Sequence, residues 1–376
     1  MLSVDDCGEV VDYEREKEYL KLEKPDIVQI LDKIQGFTVP KEGPAVPPPI
    51  VRSPSGQDIQ VTFLGTGAAI PSKYRNVTGI LLQIKNRKAS ILMDCGESSL
   101  GQLYKRFGHA GTNDILQSLK CIWISHIHAD HHIGLPAVLG ARSRLLGDRC
   151  DPVLVIGPKP LRKSLRLYSS LEPMNFHYQE ASSTERSSDD TGPTDEPSQS
   201  IVNRVKDSLG VKRLESVRVI HCSHAFALIL ESSDFDQEDP NTPGWKIAFS
   251  GDTRPCPDLV HAAKNATLLI HEATFEDNML EEAEEKRHST TSEAISAGRE
   301  SHAYSTILTH FSQRYPKIPV IDDAFNSTHV GVAFDLMTVT LADLPRLPLL
   351  LPAVKLLFDE TPGEDEPSTI PDMNLN

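Results

Sequence analysis

The segment "ISHIHADHHIGL", Ile124 to Leu135, constrains this chain more than any other. Its twelve residues hold four histidines and one aspartate, directly after the apolar run "KCIWIS". A buried strand followed at once by so many titratable groups gains no packing energy from them. Metal binding explains the crowding. In "HIHADHH", His126 and His128 flank one residue, and Asp130 and His131 follow. A turn with that spacing can direct two imidazoles at one cation and a carboxylate plus an imidazole at a second. Imidazole nitrogen and carboxylate oxygen both suit Zn²⁺, at about 2.0–2.2 Å. Two cations about 3.5–4 Å apart need roughly seven ligands, one of them bridging. The segment supplies four, so the rest must come from downstream.

Three downstream candidates stand at or near the ends of apolar runs: His224 in "HCSHAF", Asp252 in "FSGDTRPC" and His310 in "LTHFSQRY". His221 competes with His224, and spacing does not separate them. His132 reads as a bystander, because its neighbour His131 already points into the site. His109, His177, His261, His302 and His329 stand outside motifs. Six cysteines lie scattered at 7, 95, 121, 150, 222 and 256 without a C-x-x-C pair. That pattern argues against a disulfide framework and against a cysteine-type zinc site. It leaves histidine and aspartate to hold the metal.

At 376 residues the chain has room for one large domain or two modest ones. The first 58 residues read as a leader, largely extended or disordered, ending in the Pro-rich "VPKEGPAVPPPIVRSPSG". From Ile59 to Phe358 short branched apolar runs ("IQVTFLG", "GILLQI", "SILMDCG", "PVLVIG", "FALILE", "ATLLIHEA", "YSTILTH") alternate with helical stretches. That order predicts two mixed sheets covered by helices. The segment near 180–200 has almost no apolar residues and reads as a disordered acidic insert, and 359–376 as an acidic disordered tail. No apolar run approaches the ~20 residues of a membrane helix.

The formal charge of −15 appears hostile to a nucleic-acid partner. Its distribution removes the objection. Residues 1–50 carry −5, residues 180–200 carry −5 and residues 359–376 carry −6, which leaves the remainder close to neutral. RNA is therefore not excluded on charge.

With these residues in view the chain resembles a known family. H-x-H-x-D-H with later His, Asp and His is the signature of the metallo-β-lactamase fold, which implies an α/β, four-layer αβ/βα sandwich with two mixed sheets. "FLGTGAAIPSKYRNVTGILL", "SGDTRPC", "LLIHEATFED", "KRHSTTSEAI" and "LTHFSQRYPKIP" resemble tRNase Z, the endoribonuclease that removes the 3′ trailer from precursor tRNA. The likeness is strongest to the carboxy-terminal half of its long form.

That resemblance implies two zinc ions. His126, His128 and His224 would hold one, Asp130, His131 and His310 the other, with Asp252 between them. It implies Asp130 as the base toward water, and His288 of "HST", oriented by Glu272 of "HEAT", as the acid for the leaving 3′ oxygen. Pro71, Lys73, Arg75 and Asn76 of "PSKYRN" would contact the RNA 3′ end. The chemistry suits a poor leaving group, since a histidine held by a carboxylate is a good general acid. Two competing readings remain: a phosphodiesterase for small diesters, and a zinc-binding remnant that needs a partner. The basic arm of the short forms is not evident, so an amino-terminal half or a second copy is the expected partner beside precursor tRNA. No presequence is recognisable, and the expected setting is soluble and intracellular, in nucleus, mitochondrion or cytoplasm. "HAFA" stands where the family has "HAFG", so Ala227 would be strained if its φ had to be positive.

Overall fold

Strands such as "GILLQI", "SILMDC" and "VLVIG" are apolar almost without alternation because both of their faces are covered. The computed structural model describes residues 46–147, 151–185, 196–234, 244–314 and 329–358, with scattered positions before residue 33. Among these residues two large mixed sheets carry the fold.

The first sheet has seven strands in the order Thr338–Thr340, Ile59–Gly65, Gly79–Ile84, Ala89–Cys95, Leu119–Trp123, Val153–Gly157 and Phe176–Glu180. Pairing is antiparallel up to Ala89–Cys95 and parallel beyond it. The second has six, in the order Val330–Val332, Ser305–Thr309, Leu268–Glu272, Lys246–Phe249, Phe226–Ser232 and Val211–Arg218. Here the first four run parallel and the last two pair antiparallel.

Between the sheets Phe63, Trp123, Ile156, Phe226, Phe249, Ile270 and Ile307 form a shared core. Trp123 meets Phe249 edge-on across it, with ring centroids 6.1 Å apart. The outer face of the first sheet packs Leu64, Leu81, Leu92 and Ile122 against the helices Ser99–Ser118 and Leu135–Leu146. The outer face of the second packs Ala248 and Leu269 against Leu259 and Ala263, in and just after the helix Pro257–Ala262. Helix, sheet, sheet, helix is the four-layer αβ/βα sandwich of the metallo-β-lactamase fold.

Several expectations change. The folded unit reaches back before Ile59: Ile50 and Val51, on the short helix Pro49–Arg52, are only 2% and 3% exposed in the inter-sheet core. Apolar burial, not the Pro-rich composition, decides that boundary. The segment near 180–200 is partly regular, since a 3-10 helix spans Ala181–Thr184 and an α-helix spans Glu196–Leu209. The acidic residues 186–195 and the tail 359–376 lie outside the described residues. Ala227 sits inside a strand with no positive φ, so the replacement of glycine strains nothing there. Among the described residues no helix is long and apolar enough to cross a membrane.

One break matters for the site. "NMLEEAEEKRHSTTSEAISAG" reads as one helical stretch, yet it forms two helices, Leu280–Lys286 and Thr291–Glu300. Arg287 ends the first with φ +58°, and Thr290 and Glu293 start the second with a reciprocal capping box. His288 falls in the gap and is free to point away from both helix axes.

Candidate metal centre

The polar ends of five strands gather at one edge of the sandwich. The strands ending at Cys95 and Trp123 deliver Asp94 and the histidine turn; those ending at Phe249, Glu272 and Thr309 deliver Asp252, Glu272 and His310. The histidine turn lies directly on the end of the neighbouring strand Ala89–Cys95. Gly96 makes this possible, because a Cβ there would collide with the Asp130 carbonyl oxygen.

Two sets of donor atoms converge. In the first, His128 Nδ1 lies 3.0 Å from His126 Nε2 and 3.1 Å from His221 Nε2. In the second, His310 Nε2 lies 3.2 Å from His131 Nε2 and 3.4 Å from Asp130 Oδ2. Asp252 Oδ2 stands between the sets, 3.6 Å from His126, 3.9 Å from His221, 3.2 Å from His131 and 3.4 Å from His310. Ligands of one tetrahedral zinc lie about 3.3 Å apart, the edge set by metal–nitrogen bonds of about 2.0–2.1 Å. The donor spacing fits that ion.

The far sides of the rings fit it too. His126 Nδ1 donates to Ser125 Oγ at 2.9 Å, and Ser125 Oγ in turn donates to Asp94 Oδ2 at 2.8 Å. His131 Nδ1 donates to Asp94 at 2.7 Å, His221 Nδ1 to the Arg287 carbonyl at 2.9 Å, and His310 Nδ1 to Thr274 Oγ1 at 2.9 Å. Each bond fixes the tautomer that turns a bare Nε2 inward, as metal-binding imidazoles require. Burial chiefly, and neighbouring imidazoles in addition, lower the pKa of His126, His128 and His221, so those rings keep their lone pairs. Burial also opposes a proton on His131, yet Asp252, Asp130 and Asp94 raise its pKa well above the usual range. So much carboxylate charge in a dry pocket is what a cation neutralises.

Beside the donors, His288 Nδ1 donates to Glu272 Oε1 at 2.9 Å. Glu272 is fully buried and also accepts from the backbone of Thr253 (2.8 Å) and Thr274 (3.1 Å) and from Thr274 Oγ1 (2.5 Å). Burial alone would lower the His288 pKa; the Glu272 carboxylate overrides it and holds the ring at about 9. Glu272 thus orients His288 directly and His310 through Thr274.

Of the residues singled out in the sequence, His126, His128, Asp130, His131, Asp252 and His310 come together, with Glu272 and His288 alongside. His224 does not. It is half-buried with φ +62° and joins no converging donor group among the described residues, while His221 occupies the place expected for it. The reason is local: Ile220 pairs with Arg254 as an isolated antiparallel bridge, which turns His221 inward, and Val219 N–H closes the turn on Ala225. His132 is a bystander, its Nε2 bonded to the Ile127 carbonyl at 2.9 Å.

The "PSKYRN" loop divides. Pro71 and Lys73 are exposed, but Arg75 is only 7% exposed and points inward. Its Nη1 donates to Thr66 Oγ1 (2.6 Å) and the Ala333 carbonyl (3.0 Å), and the guanidinium lies 4.7 Å from the Phe311 ring centroid. Burial pushes its pKa down to about 10 against the pull of Asp335. Asn76 is half-buried and donates to the Glu97 carbonyl at 2.8 Å. These two side chains brace the loop, so the expected RNA contacts rest more on the exposed Pro71 and Lys73. The loop does adjoin the donors, because Ala69 N–H donates to Asp130 Oδ2 at 2.8 Å.

Sequence reasoning missed Asp94 and Thr274. Asp94, in "SILMDCG", closes an apolar strand just as Asp252 does, and that was its available signal. Thr274 carried none, since a threonine in "HEATF" has many ordinary uses.

The comparisons agree with this architecture. The family model described as anti-Pycsar protein Apyc1 matches residues 59–327. The protein named "tRNase Z TRZ3, mitochondrial" from Arabidopsis thaliana is 42% identical over 341 residues, covering 82% of this chain and 38% of its own length. "Zinc phosphodiesterase ELAC protein 2" from Homo sapiens is 42% identical over 305 residues, covering 80% of this chain and 35% of its own. A crystal structure of a long-form RNase Z from yeast superposes with a TM-score of 0.69 at 29% identity, covering 82% of this chain and 45% of that one. The human short-form tRNase Z structure gives 0.55 at 27% identity, covering 75% and 99%. The chain therefore spans well under half the length of these curated relatives. It belongs to the family that the Apyc1 match describes and, by its identity to these relatives, to the tRNase Z group of metallo-β-lactamase-fold proteins.

Proposed function

We propose that this chain is a zinc-dependent endoribonuclease that removes the 3′ trailer from precursor tRNA by hydrolysing the phosphodiester after the discriminator nucleotide. The observation that carries the reading is the meeting of two donor sets on Asp252 Oδ2, with the His288–Glu272 pair against them. His126, His128 and His221 would hold one zinc ion and Asp130, His131 and His310 a second, Asp252 serving both. When bound, zinc supplies Lewis acidity, easing the ionisation of water and offsetting charge on the phosphoryl oxygens.

The chain's own groups do the rest. Asp130 is held ionised and accepts the proton of the attacking water; the imidazoles packed around it override the opposing effect of burial. His288, protonated at neutral pH because of Glu272, gives its proton to the departing ribose 3′ oxygen. Water oxygen thus bonds to phosphorus as the P–O3′ bond breaks, which leaves a tRNA 3′-hydroxyl and a trailer 5′-phosphate. Pro71 and Lys73 face the RNA end.

Precursor tRNA incubated with the chain, with and without a chelator, is the test. Chelator-sensitive release of the trailer is expected. Hydrolysis of small diesters alone would sink the tRNA reading and favour the second one, a general phosphodiesterase, which the short coverage of the relatives keeps open. An amino-terminal half or a second copy is the proposed partner in gripping tRNA, read out by sedimentation with each. Two relatives are named mitochondrial, which supports that compartment, to be checked by fractionation.

A further inference from the structure

We infer that Arg254 and Glu293 form a clamp that positions His288 for its proton transfer, an inference that rests on the acid role proposed above. Arg254 Nη1 donates to the His288 carbonyl at 2.7 Å and to Glu293 Oε2 at 2.6 Å, while Nη2 donates to Glu293 Oε1 at 2.5 Å. The pair is bidentate and mostly withdrawn from solvent, at 16% and 23% side-chain exposure. Both partners are anchored independently. Arg254 N–H donates to the Ile220 carbonyl, one residue before His221, and Arg254 stands two residues after Asp252. Glu293 accepts from Thr290 N–H at 2.9 Å in the capping box of the helix Thr291–Glu300.

His288 needs such a clamp because it sits in the gap between two helices, with a left-handed residue before it. A short linker like that has several ways to place one side chain. Three contacts remove the choice: Arg254 on the His288 carbonyl, Ser289 Oγ on the Thr253 carbonyl (2.5 Å), and His288 N–H on the Ala283 carbonyl (2.9 Å). Two of the three come from the Asp252–Arg254 loop. The clamp therefore ties the proton donor to the same loop that carries the shared carboxylate. The Arg254 side chain bonds to the His288 carbonyl and Glu293, not to the donor atoms, so its part is to position His288. A lysine could reach one acceptor but could not make the fork.

The leaving group provides the test. Precursor tRNA with its ordinary scissile 3′ oxygen is compared with the same RNA carrying sulfur at that atom, since a thiolate departs without a proton. Zinc content and both cleavage rates are measured for the parent, Arg254→Ala, Arg254→Lys, Glu293→Gln and, as a reference, His288→Ala. On the oxygen substrate Arg254→Ala should cut at about one-tenth to one-hundredth of the parental rate, within the span a misplaced general acid covers. On the sulfur substrate it should keep the parental rate within about two-fold, with zinc unchanged, and Arg254→Lys should recover part of the loss. If Arg254→Ala does not fold, Arg254→Lys and Glu293→Gln carry the same comparison. Equal losses on both substrates, or no loss on the oxygen one, would overturn the clamp. If His288→Ala itself ignores the leaving atom, the acid role has failed and the clamp falls with it. Leaving-atom dependence in His288→Ala but not in the Arg254 and Glu293 variants sinks the clamp alone.

Discussion

The histidine turn 126–131 and the loop 71–76 are both polar segments beside strands of one sheet, yet they use their side chains in opposite ways. In the turn, His126 faces one donor set and Asp130 and His131 the other, and the Nδ1 atoms of His126 and His131 are satisfied behind them by Ser125 and Asp94. In the loop, charge of the same promise is split: Lys73 stays outside while Arg75 is drawn under Phe311 and onto Thr66. A converging site needs a second layer of hydrogen bonds that aims the first, and only the turn has one. Residue type showed that both segments were polar; the supporting layer shows which one is a site.

The harshest attempt to break this contrast is metal removal. Chelation, or Asp252→Ala, should abolish cleavage and lower bound zinc, measured by atomic absorption, because one carboxylate oxygen faces both donor sets. Next in size is His288→Ala, which should keep its zinc and lose cleavage by about 10²–10⁴-fold. The pH profile sharpens that prediction. With His288 as the proposed protonated acid, activity should fall as pH rises through its pKa, about 9 without metal and lower beside bound cations. The alkaline limb should disappear from the residual activity of His288→Ala.

A smaller effect separates two neighbours. If two ions bind as proposed, His221→Ala should lose about one of them, whereas His224→Ala should bind zinc like the parent. Equal zinc loss in both would refute the geometry of the 219–225 turn. Asp94→Asn touches only the supporting layer and should weaken zinc affinity about 10–100-fold. Smallest, and opposite in kind, are the loop variants. Arg75→Ala should cost stability, about 1–3 kcal/mol by chemical denaturation, through its lost buried contacts. Lys73→Ala should leave stability alone, weaken RNA binding modestly and reduce its salt slope by about one.

Much of the fold was legible because strands covered on both faces must be apolar throughout, and the "ILMDC", "CIWIS" and "LLIHE" runs say so directly. Their polar last residues also marked the edge where function lies. Less legible was the region around His288, where helical composition hid a break made by one left-handed residue and a capping box. The start of the folded unit was hidden for a similar reason, since two apolar residues, Ile50 and Val51, outweigh the proline-rich stretch around them.

By itself the sequence determined the chemistry on offer: imidazoles and carboxylates at strand ends, in numbers that only metal binding explains. Tertiary structure decided which of them take part. His221 over His224 depends on the bridge between Ile220 and Arg254 and on the turn that Val219 N–H closes on the Ala225 carbonyl. The inward turn of Arg75 depends on Phe311 and Thr66, and Asp94 matters because His131 and Ser125 fold onto it. Spacing along a chain restricts where a side chain can go. Its direction is set by partners distant in sequence, and those meet only when the sheets close.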